Sequence, residues 1–210
     1  MRSIDLTHLI LPNMPVYPGT KPPEFKPICS LEQEGFVETE LNLYSHTGTH
    51  IDSPAHIISG GKTLDLFGTE YFLGPAMVID VSRSKEISLA HLTPLRAELQ
   101  QVRFVILYTG WDQHWGTEEY FKDFPVLTAE AAKWLVSLGL KGVCIDAISV
   151  DAVKDTLTLP IHRILLGNDV LVIENLTNLQ ELIGVKLTFC CLPIKTKHAD
   201  GAPARAIAIL

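Results

Sequence analysis

The sequence predicts an α/β domain built on a mixed sheet. From residue 76 onward, short apolar runs of strand length alternate with segments of helical spacing. Several of the runs are apolar throughout, as in strands buried on both faces. Upstream, residues 37–44 alternate apolar and polar side chains, which reads as a half-buried strand and makes the sheet mixed rather than purely parallel. The 210 residues, 47% of them apolar, suit one compact domain over 1–210 with a sizeable core.

Each element has a local cause. Residues 12–27 contain six prolines and predict a long extended loop, of the kind that often covers a site. Met14, Val16, Tyr17 and Phe25 are the side chains it offers to a ligand or to the core. Val37, Thr39, Leu41 and Leu43 then alternate with Glu38, Glu40, Asn42 and Tyr44 in a strand that runs into a histidine cluster. Gly60-Gly61 marks a turn. Residues 76–81 form a buried strand, 89–99 have helical spacing, and 104–108 are a second buried strand that stops at Thr109-Gly110-Trp111. Thr128 caps a helix through Leu138, with Glu130 in its first turn and Gly139 just past its end. Residues 142–146 follow as a strand. Pro160 suits the first turn of a helix that Gly167 closes. Residues 170–173, 187–192 and 206–210 supply the last strands.

Composition excludes several classes. No stretch of about 18 apolar residues is present, so no membrane span is expected. The net charge of −7 comes without any run of lysine and arginine, which argues against nucleic acid as a partner. Asp5 lies where an export signal would be apolar. Cys29, Cys144, Cys190 and Cys191 form no Cys-x-x-Cys pair and read as reduced core thiols, which suggests cytoplasm.

The chemistry concentrates in residues 45–56, Ser-His-Thr-Gly-Thr-His-Ile-Asp-Ser-Pro-Ala-His. His46, His50, Asp52 and His56 fall within eleven positions, and imidazole with carboxylate is the usual donor set for zinc, manganese and iron. On an extended strand His46, Gly48, His50 and Asp52 share one face; on a helix His46 and His50 still do, at i and i+4. Pro54 ends the strand, and the turn after it swings His56 back toward the same site. An idle exposed cluster leaves the placement of Gly48 and Pro54 unexplained, and a buried one needs partners. Further along, Glu174 follows the apolar run 170–173, and His162 lies on the helix that Pro160 opens. A carboxylate at a buried strand end needs a counter-charge, hydrogen bonds or a metal. An ordinary pairing of Glu174 with Arg or Lys, and a core role for His162, account for these two equally well on local pattern.

The string from His46 to His56 resembles the signature of the cyclase-like metal-dependent hydrolases, a family that includes bacterial kynurenine formamidases and isatin hydrolases. The resemblance spans the chain: Asp5–His8 is similar to the family's opening strand and Pro15–Gly19 to its substrate loop. Residues 142–151 resemble its Gly-x-x-x-Asp-x-x-Ser-x-Asp stretch, His162 with Glu174-Asn175-Leu176 its second ligand pair, and 192–195 and 200–205 its closing strands. The resemblance implies a swivelling β/β/α fold with a barrel-like sheet, in dimers or larger homo-oligomers such as tetramers. It implies that His46, His50 and Asp52 hold a first metal, that Asp52 and Glu174 bridge to a second completed by His162, and that His56 is the acid/base. The implied metal is zinc, one or two per chain, or manganese. Two departures stand out. Tyr17 replaces the tryptophan usual in the formamidases at a substrate-contacting position, and Arg163 replaces a histidine after the second-site ligand.

The expected activity is metal-assisted hydrolysis of a small amide, with N-formylkynurenine the first candidate substrate. Rivals are a lactam hydrolase on the same site and a metal-dependent binding protein without catalysis. A serine or cysteine hydrolase is disfavoured, because no Gly-x-Ser-x-Gly elbow occurs. His8, Asp112 and Asp146 are candidates for orienting the ligands.

Overall fold

The computed structural model describes residues 2–210. Its strands are β1 (Ser3–Asp5), β2 (Glu24–Cys29), β3 (Glu38–Asn42), β4 (His50–Asp52), β5 (Leu73–Asp80), β6 (Glu86–Ile87), β7 (Phe104–Tyr108), β8 (Val126–Leu127), β9 (Gly142–Ile145), β10 (Leu171–Glu174), β11 (Leu187–Pro193) and β12 (Gly201–Ile209). The α-helices are α1 (Leu89–Leu92), α2 (Arg96–Leu99), α3 (Ala129–Ser137) and α4 (Pro160–Leu166).

Strands β5, β7, β9 and β10 run parallel in that order, as helical crossovers require. The rest of the sheet is antiparallel: β10 pairs with β4, β4 with the start of β12, β12 with β11, and β11 with β5. Because β12 bonds β4 through residues 201–203 and β11 through 204–209, the sheet closes on itself. β1 adds along the outer part of β12. The result is a mixed α/β fold with a barrel-like sheet, as expected.

Two apolar clusters explain the fully apolar runs. Phe104, Ile106, Cys144, Leu171 and Ile173 point into the barrel, where they meet Phe189, Ala206 and Ala208. The alternate side chains Val105, Leu107, Val143, Ile145 and Val172 point outward and are covered by Ala131, Leu135, Ile161 and Leu165 of α3 and α4. Thr128 caps α3 by accepting from the Ala131 N–H, as the sequence predicts.

Three expectations are corrected. The predicted helix over 89–99 is two short α-helices separated by a 3₁₀ turn at Thr93–Leu95, because Pro94 interrupts the hydrogen-bond ladder. The strand predicted half-buried over 37–44 is β3, exposed throughout; it pairs only with β2, in a ribbon apart from the barrel. Cys29 lies on that ribbon and is no core thiol, while Cys144 and Cys191 are buried in the barrel and Cys190 is half-buried. No helix of the described residues is long and apolar enough to cross a membrane.

Candidate metal centre and active site

The site forms where β4 passes between β10 and the start of β12. This pairing sets His50 opposite Glu174 and Asp52 opposite Val172 on one side, and Asp52 opposite Gly201 on the other. The strand is shorter than expected. Residues 45–49 form a turn in which Gly48 takes φ +66°, and His46 reaches the cluster from that turn. Its imidazole lies against Gly201, where an added Cβ would sit 2.4 Å from the ring. Pro54 opens a 3₁₀ turn that returns His56, as predicted; its ring centroid is 4.0 Å from that of His46 and 6.0 Å from that of His162.

Two donor sets share Asp52. In the first, Asp52 Oδ1 lies 2.6 Å from His46 Nδ1 and 3.2 Å from His50 Nε2. In the second, Asp52 Oδ2 lies 3.3 Å from His162 Nε2, which is itself 3.2 Å from Glu174 Oε1. The other Glu174 oxygen is 3.5 Å from His50 Nε2, so both carboxylates span the two sets. Metal–ligand bonds of 2.0–2.2 Å in a tetrahedron set neighbouring ligand atoms about 3.3 Å apart, which is the spacing seen for four of these five contacts. Asp52 Oδ2 is buried without a well-directed hydrogen bond, an arrangement costly for a carboxylate unless a cation meets it. The residues present therefore fit a divalent metal in each set. All five expected ligands converge: the β10–β4 pairing brings Glu174, and α4 brings His162, to a motif more than 100 residues upstream, which local pattern left open.

The histidines are held by partners on their other nitrogens. His50 Nδ1 bonds the Gly48 carbonyl at 2.8 Å, and His162 Nδ1 bonds Asp151 at 2.8 Å. Asp151 also accepts the Ile161 and His162 N–H groups at the start of α4, so one carboxylate caps the helix and orients its ligand. His46 Nε2 bonds Asp200 at 3.0 Å, and Ser45 Oγ donates to the same oxygen. Glu174 Oε1 accepts from the Val150 N–H, and Asn175, at φ +57°, donates to the Gly48 carbonyl while accepting from Tyr120 OH. Asp151, Asp200 and Asn175 were not predicted as functional. Asp200 is 154 residues from His46, and Asp151 reaches His162 only because α4 folds back over it, so no local spacing showed either role. The candidates His8, Asp112 and Asp146 do not perform this task. His8 stacks on Trp115, Asp112 binds Thr177, and Asp146 accepts from Thr109 and Gly110. Outer carboxylate partners of metal-bound histidines typically contribute 10–100-fold in affinity. Asp151→Asn and Asp200→Asn are each expected to weaken metal binding by about that factor, read by competition with a chromogenic chelator.

Burial and charge set the protonation of the cluster. Burial opposes charge on His46, yet the Asp52 and Asp200 carboxylates outweigh it and raise its pKa to about 10. His162 is likewise pushed well above its ordinary value, because Asp151, Asp52 and Glu174 overcome its burial. Asp200 is held down at about 2, chiefly by its bond to His46. His56 moves the other way: burial lowers it, and the neighbouring His46 and His162 charges add to that. A ligand imidazole must be neutral. Since the raised pKa keeps His46 protonated at neutral pH, metal loading must expel that proton, and affinity is expected to rise with pH by roughly tenfold per unit per proton released. Calorimetric titrations in two buffers of different ionisation enthalpy measure the release; buffer-independent heats would contradict it.

The cluster opens into a cleft of about 230 Å³. Tyr17 and Thr20 of the proline-rich loop line one wall, and Thr156 and Leu159 the other. The Tyr17 hydroxyl meets Thr156 Oγ1 at 2.5 Å across the mouth. Met14 is buried near Gly48 instead of facing the cleft. Arg163 does not line the cleft. Its guanidinium bonds the Thr158 and Ile57 carbonyls, so it braces two loops and leaves the pocket charge unaltered.

A closed mixed sheet carries a buried imidazole–carboxylate cradle under an open cleft, an arrangement suited to a metal centre. The chain belongs to the putative cyclase family, whose model matches residues 4–152. It is 31% identical to the kynurenine formamidase of Bacillus cereus over 205 residues, 97% of this chain and 95% of that one. It superposes on isatin hydrolase A from Ralstonia solanacearum with a TM-score of 0.85 at 25% identity, covering 99% of this chain and 91% of the other. A potential metal-dependent hydrolase with cyclase activity superposes with a TM-score of 0.80 at 26% identity, covering 99% and 96%.

Proposed function

We propose that the protein is an arylformamidase, hydrolysing the C–N bond of a small aromatic formamide with N-formylkynurenine as the first candidate. The observation that carries this reading is Asp52 standing between two imidazole–carboxylate sets while His56 lies free beside them. The likeness to kynurenine formamidases at 31% identity supports the substrate class. The nitrogen and oxygen donors suit zinc, one or two per chain, with manganese as the alternative. When bound, the metal supplies a water acidic enough to attack at neutral pH and polarises the carbonyl.

The chain's own residues do the rest. His46, His50 and Asp52 hold the first ion, and His162 and Glu174 complete the second around Asp52. His56, neutral at pH 7 because its pKa is lowered, takes the proton of the attacking water at an imidazole nitrogen. It then delivers that proton to the leaving nitrogen. Tyr17, Ile148 and Leu159 pack against the aromatic body and keep water from the flank of the reacting carbon.

A lactam such as isatin is the second reading, and the cleft wall favours it. No Lys or Arg lines the cleft to receive the carboxylate of an amino-acid substrate. The test is a panel of N-formylkynurenine, formanilide and isatin, assayed before and after chelation. Chelator-sensitive turnover of the two formamides supports the first reading, and turnover of isatin alone replaces it with the second. A protein that binds metal and ligand but turns over none of the three contradicts both.

A further inference from the structure

A second cavity lies behind one wall of the metal cleft. Its volume is about 740 Å³, larger than the 230 Å³ of the cleft, and the two share no lining residue. Phe121, Phe124, Val126 and Val153 give it an apolar floor that is continuous with the outer core cluster. Lys85, Lys122 and Lys154 stand around that floor, with Asp123 the carboxylate beside them. The parallel pairing of β6 with β8 sets Glu86 opposite Val126, which draws Lys85 toward the 121–126 turn, and the 3₁₀ turn Val153–Asp155 supplies Lys154. In a chain with 24 acidic and 17 basic side chains, this is a local reversal of charge. Lys122 has an exposed partner in Glu118 at 3.6 Å, but Lys85 and Lys154 make no ion pair among the described residues. An apolar floor ringed by ammonium groups suits a flat apolar body that ends in an anion. Burial of the body supplies attraction, and the charged contacts fix its orientation.

Residues 151–159 are the wall between the two cavities. Asp151 holds the His162 ligand, and Ala152, Val153 and Lys154 line the second cavity. Thr156 and Leu159 then line the metal cleft, where Thr156 Oγ1 meets the Tyr17 hydroxyl. The backbone bonds of the segment are mostly local turns, from the Asp155 N–H to the Ala152 carbonyl and from the Thr158 and Leu159 N–H groups to the Asp155 carbonyl. Leu157 at its tip is 95% exposed. A segment with few buried contacts and local bonds opens at low cost, so an occupant packed against its back bears directly on its position.

We propose that this cavity is an effector site for an aromatic carboxylate. The ring packs on Phe121 and Val153, and the carboxylate faces Lys85 and Lys154. The occupant holds residues 152–154 from behind. It thereby fixes the cleft wall that carries Thr156 and Leu159, and steadies the turn that begins at Asp151. Because the cavities share no lining residue, effector and cleft ligand are held together, and the coupling between them runs through the wall.

Benzoate is the probe. Calorimetric titration of the zinc-loaded protein is expected to show a benzoate site that the double variant Lys85→Glu with Lys154→Glu weakens by about tenfold or more, the size of one lost charge-assisted bond. Both lysines are exposed and stand outside the metal cleft, so zinc content and far-UV circular dichroism are expected to be unchanged. The coupling is read without turnover, as chymotryptic cleavage after Leu157 followed by mass spectrometry. Benzoate is expected to slow that cleavage in the wild type and to have no effect on it in the double variant. No binding at millimolar benzoate, or binding that the variant leaves intact, overturns the site. Protection of Leu157 that persists in the variant places benzoate in the metal cleft and overturns it as well. Binding that leaves Leu157 as open as before overturns the effector role. Inorganic phosphate is expected to leave Leu157 unprotected, because it cannot cover the apolar floor; phosphate that protects as well as benzoate overturns the aromatic acid as the ligand class.

Discussion

Asp52→Asn is expected to abolish metal retention and to reduce hydrolysis by roughly 10³-fold or more. Each Asp52 oxygen faces a different donor set, Oδ1 toward His46 and His50 and Oδ2 toward His162, so one substitution removes a ligand from both. The carboxylate is held well below its ordinary pKa: burial works against its charge, but the surrounding histidines outweigh it. It is thus anionic at neutral pH. Losing a metal forfeits several kcal/mol of transition-state stabilisation, at about 1.4 kcal/mol per decade of rate. Asparagine keeps the volume of the side chain, so the barrel should fold as before. Elemental analysis and circular dichroism on the same sample check both halves. A variant that keeps a full complement of metal and turnover removes Asp52 from the centre of the account.

His56→Ala should separate binding from chemistry. His56 bonds none of the ligand atoms, and its nearest carboxylate is Asp200, with Nδ1 3.9 Å from Oδ2. Metal content is therefore expected to match wild type. A positioned general acid–base contributes about 10²–10⁴-fold, roughly 3–5 kcal/mol at the same conversion, so kcat should fall by that factor with little change in KM. The loss should be smaller for an activated anilide with a good leaving group, since that nitrogen needs its proton less. Equal losses for good and poor leaving groups would assign His56 to substrate positioning instead. Full activity would remove it from the reaction.

How much of this was legible before the structure depended on sequence distance. The buried run 104–108 is a strand with the expected limits, and the run expected over 142–146 is a strand that stops at Ile145, because side chains apolar on both faces have few other solutions in a sheet. The helix capped by Thr128 was legible for the same local reason. The motif between His46 and His56 disclosed the first donor set, since all of its members lie within eleven residues. His162 and Glu174 came from the family resemblance, and only the structure shows why they meet the motif: the β10–β4 pairing places Glu174, and α4 places His162. Asp151 and Asp200 escaped notice because their contacts depend on α4 folding back and on β12 closing against β4. The half-buried reading of residues 37–44 failed instructively. The alternation is real, but the face it marks finds no cover within one chain.

The central claim is that the Asp52 cradle holds a metal and that the metal is needed for amide hydrolysis. The most direct measurement is elemental analysis of the purified protein with N-formylkynurenine and isatin hydrolysis assayed on the same sample, before and after chelation and reloading. One to two zinc or manganese ions per chain are expected, with turnover that is lost on chelation and restored on reloading. A protein that binds no metal when it is supplied, or that hydrolyses these substrates equally well without it, would contradict the account.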